Sequence, residues 1–142
     1  MAANSTMQLE IVSAEGALYS GVVHEVHVPA EQGEIGVHPR HVQLITRMVP
    51  GEVRLLPEGE KDFEHIFVSG GMLEILPNVV TILADTGARA ADLDEAAAIK
   101  AKEDAETLLK DADSDYDAKK AKAELVAAVA QIRMLERIRK KR

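Results

Sequence analysis

The sequence predicts two modules of different architecture: an N-terminal antiparallel β-sandwich followed by a C-terminal antiparallel α-helical hairpin. Three observations carry this. All nine glycines and all five prolines lie at or before Gly87, and residues 88–142 contain neither. Alanine takes over, with twelve between Ala96 and Ala130. Glycine and proline punctuate turns, whereas Ala, Lys and Glu favour helix, so the change of alphabet is a change of architecture. Finally, apolar residues recur at strand-like spacing before residue 87 and at helical spacing after it.

Taken in order, the strand-like runs are 7–12, 22–28, 42–47, 52–56, 63–69, 72–76 and 79–84. Several alternate apolar and polar residues, as in Val26-His27-Val28 and Phe63-Glu64-His65-Ile66, the pattern of a half-buried strand. Pro50-Gly51, Pro57-Glu58-Gly59 and Gly70-Gly71 supply reversals. Seven or more short strands at this spacing indicate a sandwich or barrel. The sandwich is assigned to residues 1–87 and a linker to 88–91.

The hairpin occupies 92–142. Asp92 is the expected N-cap, with Glu95 three residues on. A stripe of Leu93, Ala97, Ala101, Ala105, Leu108 and Ala112 follows at helical spacing. Acidic residues 111–117 form the turn, because Asp and Ser compete for backbone hydrogen bonds. The second stripe runs through Ala118, Ala121, Leu125, Ala128, Ile132 and Leu135. Facing alanines allow close approach but bury little surface, compared with ~2–3 kcal/mol for a buried leucine. That is consistent with a hairpin that moves, and equally with one permanently docked.

The net charge of −7 is unevenly placed: residues 1–91 carry 12 acids and 5 bases, residues 92–132 carry 11 and 6, and residues 133–142 carry 1 and 6. Arg133, Arg137 and Lys140 share one helical face in that basic tip. One or two cations would satisfy the helix macrodipole; six in ten residues point to an acidic partner as well.

The acidic total argues against nucleic-acid binding. Zero cysteines exclude disulfides, thiolate nucleophiles and cysteine-ligated metal. No apolar run approaches the ~18 residues of a membrane span, and the N-terminal Met1-Ala2-Ala3-Asn4-Ser5-Thr6 lacks the signal-peptide pattern. Asp85-Thr86-Gly87 after a strand resembles the catalytic loop of an aspartic protease. The glycine-free helices that follow leave no flap, so the triplet reads as a strand end. His24, His27, His38 and His41 form two H-x-x-H pairs, but strand residues i and i+3 face opposite ways, so no metal site is expected. Gly33-Glu34-Ile35-Gly36 lacks a following Gly-Lys-Ser/Thr and reads as a turn between strands rather than a phosphate loop.

A set of ordered stretches resembles the epsilon subunit family of bacterial F-type ATP synthases. They are Glu10-Ile11-Val12-Ser13-Ala14-Glu15, Gly33-Glu34-Ile35-Gly36-Val37-His38-Pro39-Arg40-His41 and Ser69-Gly70-Gly71-Met72-Leu73-Glu74-Ile75. Val80-Thr81-Ile82-Leu83-Ala84-Asp85-Thr86 and Leu93-Asp94-Glu95-Ala96 complete the set. The resemblance implies a non-catalytic stalk subunit without cofactor, peripheral to the cytoplasmic face of the bacterial inner membrane. Its sandwich would bind the gamma subunit and rest on the proton-driven ring of c subunits. Glu34 and His41 match the family residues near the ring's polar loops; Arg40 and Gln43 depart from a usual Gly and a frequent Pro.

The resemblance further implies that the hairpin inhibits ATP hydrolysis. The second helix would enter the head of alpha and beta subunits, with Arg133, Arg137 and Lys140 meeting an acidic beta-subunit loop. Some members bind ATP through a Leu/Ile-Asp-x-x-Arg-Ala motif. Leu93 and Asp94 match it, but Ala97 stands at the arginine, and Asp104 at the position of a second arginine. Loss of two cations and gain of an anion predict little or no ATP binding. The alternatives kept in view are a nucleotide-sensing module and a metal-dependent or aspartic-protease-like enzyme. A start at Met1 without a transit peptide is expected of a bacterial rather than a mitochondrial protein.

Overall fold

Alternation in the first ninety residues yields nine strands among the described residues. They are β1 (Met7–Ser13), β2 (Gly16–Ala30), β3 (Gly33–Val37), β4 (Leu44–Met48), β5 (Gly51–Pro57), β6 (Glu64–Val68), β7 (Gly71–Ile75), β8 (Val79–Ala84) and β9 (Gly87–Arg89). The computed structural model describes residues 5–140 and divides into one unit ending at Ala90 and another beginning at Ala91. In the first unit the strands hydrogen-bond in the order β1-β8-β7-β4-β2-β5-β6-β9, with β3 on β2 and a further β1–β2 pairing. The fifteen-residue β2 joins the two layers of the sandwich. Its first half pairs with β1, and its second half with β3 and β5.

The core follows from period-2 alternation. Leu9 and Ile11, Val53 and Leu55, Ile66 and Val68, Leu73 and Ile75, and Val80 and Ile82 all point inward. In β2 the period breaks. A bulge between Val23 and Glu25 turns Val23, Val26 and Val28 all to the core. Gly71 is fixed by its surroundings: φ is +135°, and a Cβ would collide with the Leu83 carbonyl of the paired strand β8.

Four expectations are corrected here. Residues 33–37 form β3, an antiparallel partner of β2, instead of a turn. The reversal falls at Glu31-Gln32, leaving Glu34, Ile35 and Gly36 free to extend. Most pairings are antiparallel, but β1 and β8 run parallel, because strands so far apart in sequence escape the geometry of a hairpin. Part of the stretch read as linker is ordered structure: β9 pairs with β6, and Ala90–Asp92 form a 3-10 turn. Arg89 anchors this strand by donating from Nε and Nη2 to the Leu18 carbonyl, at 3.1 and 2.8 Å.

The fourth correction concerns the second unit, built from α1 (Glu95–Lys110) and α2 (Asp115–Lys140). The N-cap of α1 is Asp94, not Asp92; its carboxylate accepts from the Ala96 N–H at 3.0 Å. Because α1 begins at Glu95, Asp94 stands at the cap position, while Asp92 ends the 3-10 turn. Ala98 and Ala105 are buried, whereas Ala97, Ala101 and Leu108 of the expected stripe are exposed. Alanine occurs on nearly every face of α1, so spacing left its phase open. In α2 the buried side includes Ala121 and Ala128, with Leu125, Ile132 and Leu135 half-buried and Met134 fully buried. The turn is confined to residues 111–114. Ser114 Oγ accepts from the Asp117 N–H at 3.1 Å and caps α2. Arg139 Nη1 donates to both carboxylate oxygens of Glu95, each at 3.1 Å, which sets the end of α2 beside the start of α1.

Candidate functional site

Glu34 lies on the strand β3 and is exposed. Arg54, on β5, donates from Nη2 to Glu34 Oε1 at 2.8 Å. His27, on β2 between them, places Nδ1 3.8 Å from the same oxygen, while its Nε2 contacts Glu25 Oε2 at 2.9 Å. Gly36 makes this possible: a Cβ there would stand 3.2 Å from His27 Nδ1 and 3.3 Å from Cε1. The second glycine of Gly33-Glu34-Ile35-Gly36 thus gives an imidazole room to lie against β3. Behind Arg54, Nε is 3.7 Å from Glu52 Oε1. Glu52 is buried, and its Oε1 also contacts His65 Nδ1 at 2.9 Å. His27, Arg54 and His65 are register partners across β2, β5 and β6, so one polar row crosses three strands.

His41 lies in the irregular segment after β3 and is half-buried, with Nδ1 2.7 Å from the Val42 carbonyl. The structure records no contact between it and Glu34 among the described residues. Arg40 adopts φ +67°, the left-handed region that favours glycine, and its N–H donates to the Pro77 carbonyl at 2.8 Å. The backbone therefore keeps a glycine-like turn at this position while carrying an arginine.

The histidine pairs separate for a reason other than the one expected. The argument from strand facing assumed a regular β2, but the bulge breaks that regularity. His24 goes to the Ser5 carbonyl at 3.1 Å, and His38 Nε2 approaches Glu25 at 3.6 Å. No group of three or more His, Cys, Asp or Glu is arranged to hold a metal among the described residues. Thr86, in the Asp85-Thr86-Gly87 triplet, is bound to Ser69 by its N–H at 2.9 Å and Oγ1 at 2.8 Å, and Gly87 opens β9.

In the second unit Arg133, Arg137 and Lys140 are exposed on the last turns of α2. Lys141 and Arg142 of the basic tip lie outside the described residues, as do residues 1–4. Asp94 is engaged as the α1 cap, and Asp104 accepts an ion pair from Lys100 at 3.1 Å. No helix is long and apolar enough to cross a membrane among the described residues.

Comparison with known proteins matches both units. Residues 6–90 match the ATP synthase, Delta/Epsilon chain, beta-sandwich domain, and residues 91–136 match the ATP synthase, Delta/Epsilon chain, long alpha-helix domain. The chain belongs to the ATP synthase delta/epsilon family. The ATP synthase epsilon chain of Nitrosococcus oceani is 56% identical over 137 residues, 96% of each chain. That of Halorhodospira halophila is 48% identical, over 96% of this chain and 97% of its own. A chain in the cryo-EM structure of the Euglena gracilis mitochondrial ATP synthase shares the fold with a TM-score of 0.78 at 19% identity. That match covers 89% of this chain and 79% of the other.

Membership of the delta/epsilon family makes this a non-catalytic stalk subunit of ATP synthase rather than an enzyme in its own right. Residue-by-residue reading missed Arg54, Glu52 and Arg139, and weighed His27 only as half of an H-x-x-H pair. Cross-strand register and helix pairing alone bring these side chains to their partners. The one signal available was alternation, which sets Glu52 and Arg54 on the same side of β5.

Proposed function

We propose that this chain joins the catalytic head and gamma subunit to the proton-driven c-ring in the central stalk, and that its hairpin restrains ATP hydrolysis. The observation that carries the proposal is the match of both units, in order, to one family at up to 56% identity. The sandwich contacts gamma and, through Glu34 and His41, the polar loops of the ring. An exposed carboxylate on a rigid strand suits that contact, because docking needs no rearrangement of the core. The place of work is the cytoplasmic face of the bacterial inner membrane, reached through the complex.

The hairpin acts in its extended form, entering the head so that Arg133, Arg137 and Lys140 meet an acidic loop of the beta subunits. Three exposed cations on adjoining turns support this reading. Opening is made feasible by an interface in which the buried residues of both helices are alanines except Met134. ATP does not regulate the hairpin here, since Ala97 and the Lys100-paired Asp104 offer a phosphate no cation at the family's two arginine positions. Saturable millimolar or tighter ATP binding by calorimetry, lost in Asp94→Ala, would overturn that part.

The decisive experiment is ATP hydrolysis by the assembled enzyme. Deleting residues 92–142, or converting Arg133, Arg137 and Lys140 together to alanine, raises hydrolysis while the subunit remains assembled. The triple variant also loses most of the salt sensitivity of inhibition. Unchanged hydrolysis in both leaves the hairpin without an inhibitory role, and failure to co-purify with gamma refutes the stalk assignment.

A further inference from the structure

We infer that Arg54 is a positioning residue for Glu34, tying one carboxylate oxygen into the sheet so that the other is held out to the ring. This rests on the proposed ring contact of Glu34. Both contacts of Glu34 with basic side chains fall on a single atom, Oε1: Arg54 Nη2 at 2.8 Å and His27 Nδ1 at 3.8 Å. Neither falls on Oε2, and the side chain is 45% exposed. Oε2 is therefore the acceptor available to an N–H or O–H donor on a partner.

Arg54 can do this because its guanidinium lies between two carboxylates, although its buried Nε makes no hydrogen bond among the described residues and is held by charge alone. Its register partners are His27 on one side and His65 on the other. Its Nε lies 3.7 Å from Oε1 of Glu52, whose side chain is only 4% exposed and contacts His65 Nδ1 at 2.9 Å. The guanidinium thus spans two carboxylates, one buried in the sheet and one at its surface. His27 closes the opposite side, held by Glu25 and packed edge-on against Phe63, with ring centroids 6.0 Å apart.

The physical consequence is preorganisation. A free surface glutamate has three side-chain torsions to freeze on docking; one already clamped at Oε1 has given up most of that freedom before the partner arrives. The pair Glu34–Arg54 is also neutral as a unit. It offers a directed acceptor rather than a bare charge, which fits the polar loops proposed as its partner better than a cationic patch.

The test uses the full chain bound to two preparations of enzyme depleted of this subunit, one with the c-ring and one without. The ratio of the two affinities isolates the ring's contribution. Glu34→Gln, Arg54→Met, Arg54→Lys and the double variant Glu34→Gln/Arg54→Met are compared well below their melting temperatures. Arg54→Met lowers the ratio about two- to five-fold, the scale of a partly exposed ion pair. Arg54→Lys restores part of the loss, and Arg54→Met has no further effect in the Glu34→Gln background. An equal Arg54→Met effect in both backgrounds, or none in either, overturns the positioning role. A ratio untouched by Glu34→Gln refutes the ring contact itself, and the inference falls with it.

Discussion

Met134→Ala tests the physical basis of a movable hairpin. Among the described residues of α1 and α2, Ala98, Ala105, Ala121, Ala128 and Met134 are buried, and Met134 is the one large side chain among them, at 0% exposure. Truncating a fully buried methionine removes its transfer free energy and leaves a cavity, for about 2–5 kcal/mol. The alanines add little each, so Met134 is the largest single contribution among the fully buried residues of the two helices, beside the half-buried Leu125, Ile132 and Leu135. At 1.4 kcal/mol per factor of ten, opening of the hairpin becomes at least about 30-fold more frequent. Amide hydrogen exchange reads this directly. Protection across α1 and α2 falls by that factor, while the core strands, β1, β7 and β8 among them, change less than about two-fold because stability is local. In the assembled enzyme the same variant inhibits hydrolysis more strongly, since a cheaper opening shifts the population towards the extended form. An equal loss of protection in both units, or no loss in the hairpin, would refute the reasoning.

Arg40→Gly removes a side chain from a left-handed backbone at φ +67° and stabilises the sandwich by about 1 kcal/mol, read as a raised denaturant midpoint. No gain would show that the Arg40 side chain offsets the backbone cost. Arg139 and Glu95 form an exposed pair across the open end of the hairpin, so a double-mutant cycle on hairpin exchange gives a coupling of about 0.2–1 kcal/mol that shrinks in salt. Zero coupling at low ionic strength would make that pair ornamental. Ser114→Ala frays the start of α2 for about 1 kcal/mol through loss of the cap to Asp117, detected as faster exchange in its first turn.

Much of the fold was legible in the chain because burial imposes periodicity. Val79–Ala84 is a short apolar run between the turn residues Pro77-Asn78 and Asp85-Thr86-Gly87, so its bounds are readable directly, and Ala121, Leu125, Ala128 and Ile132 mark the inner side of α2. Reading was weaker where periodicity is absent or interrupted. β3 is short and carries two glycines, so its residues resemble a turn until β2 is there to pair with them. The bulge in β2 shifts the phase of alternation and with it the facing of the histidines. In α1, alanines on several faces leave no preferred side, and the partner helix selects Ala98 and Ala105.

The sequence by itself determined the two modules, the boundary near residue 90 and the basic end of α2, because composition, periodicity and charge are local properties of the chain. Family membership was equally legible, being carried by ordered motifs. Only the tertiary structure decided which groups surround Glu34 and which cation closes the hairpin. Arg54 is 20 residues from Glu34, and Arg139 is 44 from Glu95. Such pairs are set by strand register and helix packing, which depend on the whole fold, so no window of sequence contains them.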